Sequence, residues 1–125
     1  KDKIFGLDRV DKSKHFYVCE GPLDSLFIDN CLAVGGSDFD RLEGDFTVIF
    51  DNEPRNKEIN KQIEKIINKG RSIVLWPEQI KEKDINDMIL SGMTKEELQE
   101  ILKNNTFTGA LAKLRFAEWR KINAQ

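Results

Sequence analysis

The sequence predicts an α/β fold, and three observations lead there. Short runs of β-branched and aromatic residues alternate with helical patterns along the chain. The runs are apolar throughout rather than at every second position, as in strands covered by helices on both sides. Each run stops abruptly at Gly, Pro or an acidic residue. Together these imply about four parallel strands joined by right-handed helical crossovers, with a helical C-terminal tail. At 125 residues one domain is expected, with its core at about residues 14–92 and its tail at about 93–125.

Phe16-Tyr17-Val18-Cys19 reads as the first strand, closed by Glu20-Gly21-Pro22. Leu23, Leu26 and Phe27 recur at helical spacing, so a short helix follows that turn. Cys31 to Val34 is a second strand, stopped by Gly35-Gly36, and Phe46 to Phe50 a third, ending at Asp51-Asn52-Glu53-Pro54. An amphipathic helix from about Arg55 to Lys69 carries Ile59, Ile63, Ile66 and Ile67 on one face, and Gly70 stops it. Ser72 to Trp76 is the fourth strand, halted by Pro77. Helices over Ile85–Leu90, Lys95–Lys103 (with Thr94 as N-cap) and Gly109–Ile122 complete the chain.

Composition narrows the class. Hydrophobic residues at 39% and charged residues at 34% fit a globular protein rather than a disordered one. No apolar stretch approaches the length of a membrane span, and no signal peptide is visible. The chain starts at Lys1 without a methionine and reads as an excised fragment of a longer protein. A net charge of -2 does not announce a nucleic-acid binder. Cys19 and Cys31 lie in apolar runs without CxxC spacing, so a reduced, buried pair is expected. His15 lacks a partner motif and reads as a surface residue.

In open parallel sheets, ligands bind beyond the carboxyl ends of the strands. The first strand delivers Glu20, with Asp24 one helical turn later; the third delivers Asp51 and Glu53; the fourth leads to Asp84 and Asp87. Carboxylates gathered on one edge repel one another unless a cation is present. An all-oxygen set without His or Cys suits Mg²⁺. The plainer alternative is that some of these acids cap helices or pair with Lys57, Lys81 and Lys83.

These residues resemble a known family. Val18-Cys19-Glu20-Gly21-Pro22-Leu23-Asp24 resembles the first TOPRIM motif, a strand ending in Glu-Gly-x-x-Asp. Val48-Ile49-Phe50-Asp51-Asn52-Glu53 resembles the second, a strand ending in Asp-x-Asp, with Glu53 in place of the last Asp. Lys83-Asp84-Ile85-Asn86-Asp87-Met88-Ile89 looks like the segment after the fourth strand of TOPRIM primases. The tail from Asn105 to Lys121 resembles the end of tailed-phage primases, and its Phe107, Leu111 and Leu114 have a core-like spacing. TOPRIM topoisomerases need a nucleophilic tyrosine, whereas the only one here, Tyr17, lies within the first strand, where burial is expected. TOPRIM nucleases share the acidic motifs but are not expected to carry the Lys83–Gly92 segment.

The resemblance implies a TOPRIM, Rossmann-like fold and the catalytic core of a DNA primase. Asp51 and Glu53 would hold Mg²⁺, with Mn²⁺ as a substitute, and Glu20 would be a further ligand or the general base. Asp84 would support another metal or the incoming nucleotide, with Asp24, Asp87, Lys57 and Lys83 in support. Implied partners are single-stranded DNA, ribonucleoside triphosphates and, through the full-length protein, a replicative helicase, all in the bacterial cytoplasm if the source is a phage. Such primases carry a basic subdomain and a zinc-binding template reader ahead of this core. Neither is in this chain, so metal binding with weak or no primer synthesis is expected of it. The same acids in a nuclease subunit, or a non-catalytic replisome docking module, are the rival readings.

Overall fold

The computed structural model describes residues 4–35, 39 and 42–121. Among them, six strands form one sheet in the order β1-β3-β2-β4-β5-β6. The four inner strands are the expected ones: β2 (Phe16–Cys19), β3 (Cys31–Val34), β4 (Phe46–Val48) and β5 (Ser72–Val74). They run parallel, with Val18 opposite both Leu32 and Val48, and Val48 opposite Ile73. Two antiparallel edge strands, β1 (Ile4–Phe5) and β6 (Thr106–Phe107), close the sheet. Neither is foreshadowed in the sequence, because 2 residues are too few for any periodicity.

Both faces of the sheet are covered, which explains why the inner strands lack alternation. Phe16, Val18, Leu32, Val48, Ile73 and Leu75 face one core, shared with helices α2 (Lys57–Asn68) and α5 (Gly109–Trp119). Cys19, Cys31, Ile49, Val74 and Trp76 face the other, shared with α3 (Ile85–Leu90) and α4 (Lys95–Asn104). The short α1 (Pro22–Ser25) follows β2 directly.

The helix boundaries follow from capping chemistry. Asn56 accepts from the Ile59 amide at 3.0 Å, so α2 starts 2 residues later than its periodicity suggests. Gly70, at φ 78, ends it: its N–H reaches Ile67 O at 2.9 Å and the Arg71 N–H reaches Ile66 O at 3.2 Å, a Schellman closure. Thr94 and Glu97 form a capping box on α4, and the expected isoleucines of α2 are buried.

Several expectations need correction. In α5 the buried residues are Ala112, Phe116 and Trp119, while Leu111 and Leu114 stand 54% and 61% exposed. The helical phase set by the α2 contact puts those leucines one position off the buried stripe. Phe107 is only half-buried, on the edge strand β6. Leu23 and Leu26 also point outward, since a 4-residue helix has one turn to pack and buries only Ser25 with it. Tyr17 is half-buried rather than buried. Strands β4 and β5 stop at Val48 and Val74, although Ile49, Phe50, Leu75 and Trp76 remain buried. Gly36 and Ile122 lie outside the described residues. His15 is exposed as expected, within 2.7 Å of Thr47 Oγ1.

Candidate functional site

Parallel pairing sends the carboxyl ends of β2, β4 and β5 to one edge of the sheet. Glu20 follows β2 immediately and is exposed there. A Cβ on Gly21 would stand 3.1 Å from Asp24 Oδ2, so glycine leaves room for the Asp24 carboxylate to fold back over the turn. Asp51 leaves β4 through the buried pair Ile49-Phe50, and the Trp76 indole donates to Phe50 O at 2.8 Å. That bond ties the end of β4 to the end of β5. From β5 the chain loops to Asp84, the N-cap of α3. Cys19, Glu20, Asp24, Ile49, Phe50, Asp51 and Ile85 line a recess of about 10 Å³, room for about one water.

The electrostatics converge on Asp51. Burial first, then the charges of Asp24, Asp84, Glu53 and Glu20, push its carboxyl from 3.8 up to about 6. Asp24 is also raised, by burial and by Asp84, against a hydrogen bond that the Asn86 amide donates at 3.2 Å. The charges of acids that follow all three strands therefore bear on one carboxyl. Asp84 also accepts from the Asp87 amide at 2.8 Å and so caps α3. Asp24 and Asp87 stand in the first turns of α1 and α3, where acids are favoured, while Asp84 supplies the N-cap itself. Asp87 sits exposed in the first turn of α3. Glu53 is half-buried, and its Oε1 accepts from the Asn56 side-chain Nδ2 at 3.4 Å. Lys57, Lys81 and Lys83 are exposed.

Among the described residues, no three acids, histidines or cysteines stand close enough to clasp one metal ion together. Mg²⁺ does not require three: it keeps several waters and takes one or two carboxylates. Mutually repelling oxygen donors around a half-buried aspartate suit such a hard cation. A groove of about 800 Å³ lies elsewhere, between the loop after β5 and helices α4 and α5. It contains the Arg115–Glu118 ion pair (3.1 Å) but none of the acids that act on Asp51, so size does not mark the chemistry here.

No family model matches the chain. Over 126 aligned residues it is 40% identical to the DNA primase of Enterobacteria phage T4, covering 96% of this chain. Nearly the whole chain is thus similar to a part of a phage DNA primase. It spans 36% of the length of that relative.

In β2, the Tyr17 hydroxyl is pushed up by burial, while a hydrogen bond to Thr106 opposes the shift. The two thiols are free and buried, with Sγ atoms 3.8 Å apart. The Cys31 contact and burial push the Cys19 thiol far above its ordinary range, so little reactive thiolate forms. A thiol reagent at neutral pH is expected to label neither cysteine until denaturant is added; rapid native labelling would contradict this burial. What sequence reading misses is Asn52, whose side chain donates to Ile80 O and Glu82 O at 2.9 and 3.1 Å. Its place between two motif acids is the available signal.

Proposed function

We propose that this domain is the catalytic core of a DNA primase with a TOPRIM fold, joining ribonucleotides into primers on single-stranded DNA. The observation that carries the reading is that the charges of Asp24, Asp84, Glu53 and Glu20 all bear on Asp51 at the carboxyl edge of a parallel sheet. Similarity to a phage DNA primase supports the reaction class.

In the proposed reaction, a primer 3′-hydroxyl attacks the α-phosphate of a ribonucleoside triphosphate and pyrophosphate leaves. A Mg²⁺ ion, when bound, supplies neutralisation of the phosphate oxygens. Asp51 and Glu53 would hold that ion, and positive charge there would relieve the repulsion that raises Asp51. Glu20 would be a further ligand or would accept the proton from the 3′-hydroxyl. Asp84, fixed by its capping bond, would support a further metal or the incoming nucleotide. Lys57 and Lys83, exposed and near the acids in sequence, would meet phosphates, with Asp24 and Asp87 as supporting charges. Such chemistry is catalysed mainly by positioning and charge stabilisation. Partners are single-stranded DNA, ribonucleoside triphosphates and a replicative helicase engaged through the full-length protein.

The test uses the full-length parent with single-stranded DNA, labelled ribonucleotides and Mg²⁺. Short RNA products that depend on the template, and that vanish in Asp51→Asn, are expected. Cleavage of the DNA without incorporation would turn the reading to a nuclease. Neither activity would leave a docking module.

A further inference from the structure

Asn52 lies between the two acids of the second motif and reaches two other segments of the chain. Its backbone N–H donates to Lys83 O at 2.6 Å. Its side-chain nitrogen donates to Ile80 O and Glu82 O, at 2.9 and 3.1 Å. Its side-chain oxygen accepts from the Trp119 indole N–H at 3.2 Å. Both donors and the acceptor of the amide are therefore engaged, each with a partner of the right polarity. Asn52→Asp would keep the shape and lose both donors, leaving carboxylate oxygens against two carbonyls.

The partners explain the arrangement. Trp119 is 3% exposed and sits in the α2–α5 core, so its N–H must find an acceptor inside the protein. Ile80, Glu82 and Lys83 belong to the loop that ends at Asp84, the N-cap of α3. The loop after β4, the loop after β5 and the C-terminal helix thus meet at one side chain. Asp51 precedes Asn52 directly, and Asp84 follows the Lys83 carbonyl that Asn52 binds.

We propose that Asn52, held by the Trp119 indole, is a positioning residue that fixes the separation of Asp51 from Asp84. The functional weight of that separation rests on the metal-site reading above; the fixing itself does not. A half-buried amide that merely satisfies its neighbours would stabilise the fold without governing the acids.

The test compares the wild-type chain with Asn52→Ala, Trp119→Phe and Ile63→Val. Ile63→Val removes packing from α2 in the same core but touches none of the four hydrogen bonds, so it controls for lost stability. Two quantities are read: Mn²⁺ affinity, and amide hydrogen exchange at residue 52 and residues 80–84 in metal-free protein. Asn52→Ala and Trp119→Phe are expected to weaken Mn²⁺ binding about tenfold or more, as loss of an outer-shell partner does. They are also expected to speed exchange in the loop, while Ile63→Val leaves both readings at wild-type values. The proposal stands only if both readings move in Trp119→Phe, which keeps an aromatic ring at the site and carries the test if Asn52→Ala does not fold. It falls if either stays at the wild-type value, or if Ile63→Val moves them equally. If the wild-type chain takes up no Mn²⁺, the metal reading fails and loop exchange alone decides the positioning role.

Discussion

Asp51→Asn in the full-length parent is expected to reduce primer synthesis by about 100-fold or more while sparing template binding. A metal clamp contributes several kcal/mol at the transferring phosphate, and about 1.4 kcal/mol corresponds to tenfold in rate. The substitution keeps the shape of the side chain and removes the charge on which the neighbouring acids converge. In the metal-free chain the same change is expected to stabilise. The Asp51 carboxyl is raised from 3.8 to about 6 on folding, so the folded state holds its proton more tightly than the unfolded state does. Stability therefore falls as pH climbs from about 4 through about 6, then levels off. Asp24 is displaced in the same direction and adds to the slope. The full shift corresponds to about 3 kcal/mol, which solvent at this half-exposed site reduces to about 1–2 kcal/mol. Urea denaturation at pH 4.5 and 7.5 should show the wild type losing stability and Asp51→Asn losing much less. Equal slopes in the two proteins would remove Asp51 as the source.

Leu98→Ala is expected to destabilise the domain by about 2–5 kcal/mol, a large part of the 5–15 kcal/mol typical of a whole domain. Leu98 is fully buried in α4, in one cluster with Cys19, Ile49, Trp76, Ile85 and Met88. That cluster lies under the strand ends that present Glu20 and Asp51. Deleting three carbons there leaves a cavity that the surrounding strands cannot readily close. Leu114→Ala, on the exposed side of α5, should change stability by less than about 0.5 kcal/mol. Chemical denaturation of both variants checks the contrast; a Leu98→Ala protein as stable as the wild type would contradict the packing.

The parts legible in the sequence are those with long periodicity or a sharp chemical stop. The four inner strands are readable because helices on both sheet faces demand continuous apolar runs such as Phe46–Phe50. Helix α2 is readable from its four buried isoleucines and Gly70, and α4 from its Thr94 cap. The crowded acids are readable because parallel strands of known order must bring their carboxyl ends to one edge. The edge strands β1 and β6 are not, being too short to carry a pattern. The buried stripe of α5 is easily misread because Leu111 and Leu114 compete with Ala112, Phe116 and Trp119, and only the α2 contact decides the phase. The role of Asn52 depends on partners 28 and 67 positions away, which spacing along the chain cannot reveal.

The most direct measurement is the thermal midpoint of the chain against Mn²⁺ concentration at pH 7, for wild type, Asp51→Asn and Glu53→Gln. Binding to the folded state alone stabilises by RT ln(1 + [L]/Kd), so the wild-type midpoint should climb steadily once Mn²⁺ exceeds Kd. Both variants should start no lower than the wild type for want of one repelling charge, and should climb only at much higher Mn²⁺. Midpoints that rise identically in all three proteins, or in none, would contradict a metal site at Asp51 and Glu53.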